Sequence, residues 1–152
     1  MKSLVTLALA LLVAAFAVAA EEKKEEEAKF DASKMLGDWV YDSGMRAGEK
    51  SEKDKLKGTV TIKKDEILVP TEKDGHFTMG YKIDAKAKPA TIDIEIKDGP
   101  HKGAKAEGIV AVKDKEVTLC YVMVTDKGEK RPTKFESTKD NQAFLFVLKP
   151  KK

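Results

Sequence analysis

Apolar and polar residues alternate with a period of two in several short runs from Gly37 onward. The alternation is clearest at residues 59–63, 77–83 and 91–97, and it is typical of strands that bury one face. Asp, Asn and Gly residues, which accept tight-turn dihedral angles, separate the runs. Cutting the sequence at these turns predicts strands at residues 38–44, 57–64, 66–70, 76–84, 91–97, 104–113, 116–125, 133–138 and 143–149.

This succession predicts an all-β domain built as an eight- to nine-stranded antiparallel up-and-down barrel, because closure removes the exposed edges of a sheet. A two-sheet sandwich is the alternative. Residues 30–36 predict a short helical turn capped by Asp31 or Ser33, whose apolar residues could plug one barrel end. The long polar connection at residues 43–57 would then lie over an open end as a lid.

The first twenty residues have the pattern of a secretory signal peptide. Lys2 gives a basic start, an uncharged run extends from Leu4 to Ala20, and small residues precede Glu21. We expect cleavage after Ala20, with a retained membrane anchor as the alternative. The run is not followed by Cys, which excludes a lipid-modified N-terminus. The pattern predicts a secreted or periplasmic protein without stable membrane insertion after cleavage.

Composition divides the remaining chain into a leader and one domain. Residues 21–30 are nearly all charged and predict a flexible leader, and residues 31–150 have the length of a single domain. The 29 Lys and Arg residues almost balance the 26 Asp and Glu residues, for a net charge of +3. Only Arg46 and Arg131 are Arg, and the basic residues do not cluster, so we expect no nucleic-acid partner.

Few residues are candidates for catalysis or metal binding. The sequence contains no GxSxG, GxxxxGK[ST], GxGxxG, HExxH or CxxC motif, so we expect neither an enzyme nor a cofactor. His76 and His101 fall in different turns, and we expect surface residues rather than the alternative, a zinc site. Cys120 is the only Cys, which excludes an intramolecular disulfide. We expect a buried, inert thiol, with an interchain disulfide or a reactive nucleophile as alternatives.

The apolar phase of the strands predicts the barrel interior. Its members are Phe77, Met79, Tyr81, Ile83, Ile92, Ile94, Ile96, Leu119, Tyr121, Met123, Phe144, Phe146 and Leu148. Tyr81, Tyr121, Met123 and Phe146 are the candidate ligand-binding residues, since a small barrel either fills its centre or keeps one small-ligand cavity.

Trp39 and Arg131 are the candidates for structural closure of the barrel. Trp39, the only Trp, predicts a core residue that closes one end and whose indole needs a hydrogen-bond partner. Arg131 begins the predicted strand at 133–138 and could stack on Trp39. Alternatively, Arg131 binds an anion or a carboxylate.

Several motifs carry a family resemblance. They are Leu36-Gly37-Asp38-Trp39, Gly80-Tyr81-Lys82-Ile83-Asp84, Lys88-Pro89-Ala90-Thr91-Ile92, Asp98-Gly99-Pro100-His101-Lys102-Gly103, Gly108-Ile109-Val110, Leu119-Cys120-Tyr121, Arg131-Pro132-Thr133-Lys134-Phe135 and Phe146-Val147-Leu148-Lys149. In order and spacing, over residues 35–150, the chain resembles a family of conserved proteins known mainly from planctomycetes, described as lipocalin-like and without an established activity. The resemblance implies an exported or envelope β-barrel module and supplies no catalytic residues.

These observations lead to two main hypotheses of function; the third, an enzyme, needs a convergent cluster of polar groups with shifted pKa in the cavity. The first is an exported lipocalin-like binding module that holds a small apolar or amphipathic ligand in the barrel. The second is a filled barrel that binds an envelope protein or has a structural role, motivated by residues 117–124, which are apolar on both faces except at Thr118. A cavity of several hundred Å³, roughly the volume of ligand pockets, would favour the first, and a packed centre the second.

Overall fold

The computed structural model describes residues 29–73 and 75–152. The predicted signal peptide and all but the last two residues of the predicted leader lie outside this part of the chain. The described chain is all-β. Its strands are β1 (Gly37–Arg46), β2 (Glu49–Lys50), β3 (Thr59–Ile62), β4 (Glu66–Pro70), β5 (His76–Asp84), β6 (Ala90–Ile96), β7 (Lys105–Lys113), β8 (Glu116–Met123) and β9 (Phe144–Pro150).

Eight of these strands close into a barrel. From β3 to β9 each strand pairs antiparallel with the next, and β1 pairs with both β3 and β9. The two-residue β2 is an extra strand that forms a hairpin with β1. The predicted up-and-down barrel is therefore confirmed, because the short turns join neighbours and the β1–β9 ladder leaves the sheet without a long free edge.

A single 3₁₀ turn closes one end of the barrel. The turn spans Ala32–Met35, and the Asp31 carboxylate accepts a hydrogen bond from the Ser33 backbone N–H at 3.0 Å, which confirms the predicted cap. Met35 is fully buried in the core. The Trp39 indole N–H donates to the Met35 carbonyl at 2.7 Å. The turn and the first strand thus hold each other at this closed end.

A β-bulge changes the face that the second half of β1 presents. Tyr41 is opposite Leu148, but after a register shift Gly44 is opposite Phe146 and Arg46 is opposite Phe144. Directly opposed residues share a face of the sheet. The extra residue in the bulge therefore places Arg46, at the end of β1, on the same face as Tyr41.

Residues 124–143 form a strap across the outside of the barrel. The predicted strand at 133–138 is wrong, because β8 pairs directly with β9 and no ladder is free for this segment. The strap covers an outer core of Ile109, Cys120, Val122 and Ala143, against which Phe135 packs.

Side-chain hydrogen bonds fasten the end of the strap. The buried Ser137 hydroxyl donates to the Ala143 carbonyl at 2.7 Å and accepts from the Gly48 N–H at 3.0 Å. The strap is thereby joined to the turn between β1 and β2, and the apolar outer face of β8 is covered by the chain itself.

Residues 47–58 form the mouth loop, at the barrel end opposite the closed end. The loop is shorter than the predicted connection at 43–57, because Ser43 to Arg46 continue β1 after the bulge. Leu56 packs against the barrel at Gly44. If Gly44 were replaced by Ala, the new Cβ would lie only 3.0 Å from the Leu56 Cδ2 and from the Phe146 ring. Gly44 thus makes space for Leu56 at the mouth.

Candidate functional site

An apolar cavity of about 150 Å³ lies inside the barrel. Met35 contributes to its lining from the closed end, and the remaining side chains come from six strands. They are Tyr41, Val60, Ile62, Ile67, Val69, Phe77, Met79, Val117, Leu119, Tyr121, Phe144, Phe146 and Leu148. The cavity is smaller than pockets for drug-sized ligands, which begin near 300 Å³, yet the centre is not packed solid. It therefore lies between the two criteria set out above, a cavity of several hundred Å³ and a filled barrel.

Aromatic rings concentrate on the β1, β8 and β9 side of the cavity. Tyr121 and Phe144 are stacked, with ring centroids 5.1 Å apart and planes 12° apart. Tyr41 meets Phe146 edge to face at 5.5 Å. Such offset and edge-to-face geometries are favourable for aromatic pairs. They present both ring faces and ring edges to anything inside the barrel.

Two tyrosine hydroxyls accompany this aromatic cluster. Burial raises the pKa of Tyr41 to about 12. Burial also raises the pKa of Tyr121, with a smaller opposing effect from Arg46. Neither hydroxyl makes a hydrogen bond to any residue between 29 and 152 that the structure describes. Tyrosine is protonated at neutral pH at its ordinary pKa of about 10, so both hydroxyls are donors whose hydrogen-bonding capacity the described residues leave unused.

Arg46 supplies a positive charge beside the aromatic cluster. Its guanidinium carbon lies 4.9 Å from the centroid of the Phe144 ring, in cation–π geometry. Arg46, Phe144 and Tyr121 consequently form one continuous stack. Arg46 is exposed to solvent and does not itself line the cavity, but Phe144, the ring that it contacts, does.

The structure brings together half of the predicted ligand-binding residues. Tyr121 and Phe146 line the cavity. Tyr81 is buried, but its hydroxyl donates to the Lys63 carbonyl at 2.6 Å, and the residue borders a separate groove on the barrel wall. Met123 packs against the core at the end of β8 without lining the cavity.

Sequence reasoning missed Tyr41, Phe144 and Arg46 as members of this site. The alternation pattern places Phe144 in the interior without indicating a ligand contact, and it indicates no role for Tyr41. The scarcity of Arg in a Lys-rich chain was the one available signal for Arg46. The bulge that places Arg46 beside Phe144 has no mark in the alternation pattern.

The predicted stacking of Arg131 on Trp39 is wrong, because Arg131 instead bonds to the β6–β7 ladder. Its Nη1 donates to the carbonyls of Ile92 at 3.1 Å and Gly108 at 2.9 Å, and its Nη2 donates to the Asp93 carboxylate at 2.6 Å. Glu107, directly opposite Asp93, lies 3.6 Å from the same nitrogen. The carboxylate alternative for Arg131 is the one that the structure shows. The guanidinium bridges two like charges and fixes the start of the strap.

We expect Arg131→Met to lower the free energy of unfolding by about 1–3 kcal/mol, because two backbone carbonyls lose a charged donor and two carboxylates lose their shared cation. Urea denaturation followed by circular dichroism measures the loss. Lys134→Met, which removes an exposed strap charge, is the matched control. Equal stability of the two variants would show that Arg131 does not fasten the strap.

The thiol of Cys120 is buried beneath the strap, as expected. It donates to the Glu136 carbonyl at 3.5 Å, and burial raises its pKa. A buried thiol with a raised pKa is a poor nucleophile. Between residues 29 and 152, without residue 74, no group of three His, Cys, Asp or Glu side chains is arranged to hold a metal ion.

The fold and cavity define a small closed antiparallel β-barrel with an internal apolar site, a fold compatible with lipocalin-like binding modules. Comparison with protein-family models, with curated proteins and with solved structures finds no match. Among the described residues, no helix has the length and apolar character needed to cross a membrane.

Proposed function

We propose that this protein is an exported lipocalin-like binding module that holds one small apolar or amphipathic ligand inside the barrel. The observation that carries the proposal is the apolar cavity of about 150 Å³ between the closed end and the mouth loop. Engineered cavities of about this size, lined by apolar side chains, bind benzene. The ligand is accordingly a molecule with a single ring or a comparably short chain.

The surroundings of the cavity support a binding role. The walls are side chains of paired strands, which hold the site rigid, while Leu56 of the mouth loop approaches Gly44 without being part of the barrel. The mouth loop joins β1 to β3 through only the two-residue β2 and a second 3₁₀ turn (Lys53–Lys55), and such a loop moves more easily than the barrel wall. A ligand that enters at the mouth therefore needs no opening of the barrel wall.

The second hypothesis, an exterior partner in the envelope, has lost the observation that motivated it. The apolar outer face of β8 is covered by the strap, with Cys120 and Val122 fully buried. The proposal therefore places the site inside the barrel. The proposal of export rests on the sequence pattern of residues 1–20. The proposal of a binding role rests on the cavity, since the sequence has none of the catalytic motifs considered above. The family resemblance is consistent with both.

Native mass spectrometry of the protein purified from its own host tests the proposal. We expect a stoichiometric small molecule that is released on denaturation. Val69→Phe should abolish it by filling the cavity, because Val69 lines the wall. The matched control is Leu68→Phe, on the same strand and outside the cavity lining, which should retain the molecule. A clean apo mass, or identical occupancy of both variants, would argue against an internal ligand.

A further inference from the structure

We infer that the ligand of the barrel is a small aromatic carboxylate, bound with its ring in the cavity and its carboxylate at Arg46 and the hydroxyls of Tyr41 and Tyr121. The inference rests on the proposed function and adds the chemical class of the ligand. The structure supports each half of such a molecule by a separate observation, one for the charged group and one for the ring.

Arg46 is the residue that binds the ligand carboxylate in this proposal. The bulge in β1 places this residue opposite Phe144, and its guanidinium lies 4.9 Å from that ring. No carboxylate in the described chain forms an ion pair with Arg46, although Glu49 is its partner in the β1–β2 ladder. Arg131, by contrast, has two acidic neighbours. A guanidinium offers five donors in a planar fork that matches a carboxylate.

The tyrosine hydroxyls favour an acceptor group in the same place. The Tyr121 ring is stacked on Phe144, the ring that the Arg46 guanidinium contacts. Tyr41 and Arg46 both lie close enough to Tyr121 to influence its pKa. Both hydroxyls are protonated at neutral pH, as tyrosine is at its ordinary pKa of about 10, and burial raises the pKa of each further. The unpaired Tyr121 donor beside a cation, with the Tyr41 hydroxyl near Tyr121, complements an anionic oxygen, whereas a ligand ammonium would meet repulsion from Arg46.

The shape and lining of the cavity suit the aromatic ring of the ligand. Stacked and edge-on rings of Phe144, Phe146 and Tyr41 offer the geometries that a further aromatic ring prefers. The volume of about 150 Å³ is suited to a single six-membered ring. Met35 blocks the closed end, so a long acyl chain has no space beyond the ring position.

Calorimetric titration of the full chain with benzoate and with toluene, its neutral analogue of similar shape, tests the inference. We expect benzoate to bind at least about tenfold more tightly than toluene. Arg46→Gln should remove this difference and leave toluene binding unchanged, because the ring site is intact. Lys113→Gln is the charge-matched control. It removes one exposed charge at the last residue of β7, away from Arg46, and should preserve the preference for benzoate.

The outcomes separate the inference from the proposed function. Equal affinity for benzoate and toluene, or equal loss of both in Arg46→Gln, would overturn the carboxylate inference and leave an apolar binding module. Failure of both probes to bind the wild-type chain would overturn the proposed function and the inference with it. Circular dichroism of each variant verifies that the barrel is folded in every titration.

Discussion

Gly108→Ala is expected to prevent stable folding, or to lower the free energy of unfolding by more than about 3 kcal/mol. A Cβ at Gly108 would collide with the Cys120 carbonyl oxygen and would lie 2.6 Å from the Tyr121 Cβ. Both obstacles belong to β8, the hydrogen-bonded neighbour of β7. The backbone cannot retreat without separating the two strands. The same displacement would disturb the carbonyl that binds Arg131.

Gly80→Ala is the matched control for this prediction. Gly80 is also a buried strand glycine, but its nearest obstacle is the Cε of Lys97, at 2.5 Å. The end of an exposed lysine side chain can swing away at little cost, so this variant should remain within about 1 kcal/mol of the wild type. Urea denaturation of both variants measures the contrast. Similar midpoints would refute the backbone collision at Gly108.

Trp39→Ala is expected to cost about 3–5 kcal/mol of stability. Trp39 is only 5% exposed within the main core, and its indole N–H donates to the Met35 carbonyl at 2.7 Å. The substitution therefore opens a large cavity and releases the 3₁₀ turn that closes the barrel. Because Trp39 is the only Trp, unfolding must be followed by circular dichroism rather than by tryptophan fluorescence.

Trp39→Phe separates the two parts of this effect. The phenyl ring keeps most of the buried apolar surface but cannot donate to Met35, so we expect a loss of about 1–3 kcal/mol. Val40→Ala, on the opposite face of the same strand, controls for truncation at that end of the barrel. If Trp39→Phe were as stable as the wild type, the indole hydrogen bond would have no role in closing the barrel.

The interior phase of the strands was predictable, but the role of each interior residue was not. Leu119 and Ile94 are buried as their alternating patterns indicated. Tyr81 follows the same pattern, yet a bond to the Lys63 carbonyl occupies its hydroxyl and keeps it out of the cavity lining. Met123 lies at the end of β8, beyond the lining of the cavity. Periodicity specifies the face of a strand, whereas the cavity also depends on height along the barrel.

The wrong strand at 133–138 has an equally physical origin. Phe135 is apolar and packs on a core, which is why its segment resembled a strand. The core that it contacts is the outer face of β7 and β8, and the segment makes side-chain contacts there in place of a ladder. A one-dimensional pattern records burial without recording what causes it.

The amino-acid sequence by itself determined the all-β class, the positions of the eight barrel strands and the capped turn before them, because alternation and turn chemistry act between near neighbours. Only the tertiary structure decided the location of the site. The β1 bulge exists through its pairing with β9, a segment about a hundred residues away, and it alone turns Arg46 toward Phe144. The strap and the unfilled centre are likewise properties of how the closed barrel packs, and local preference does not encode them.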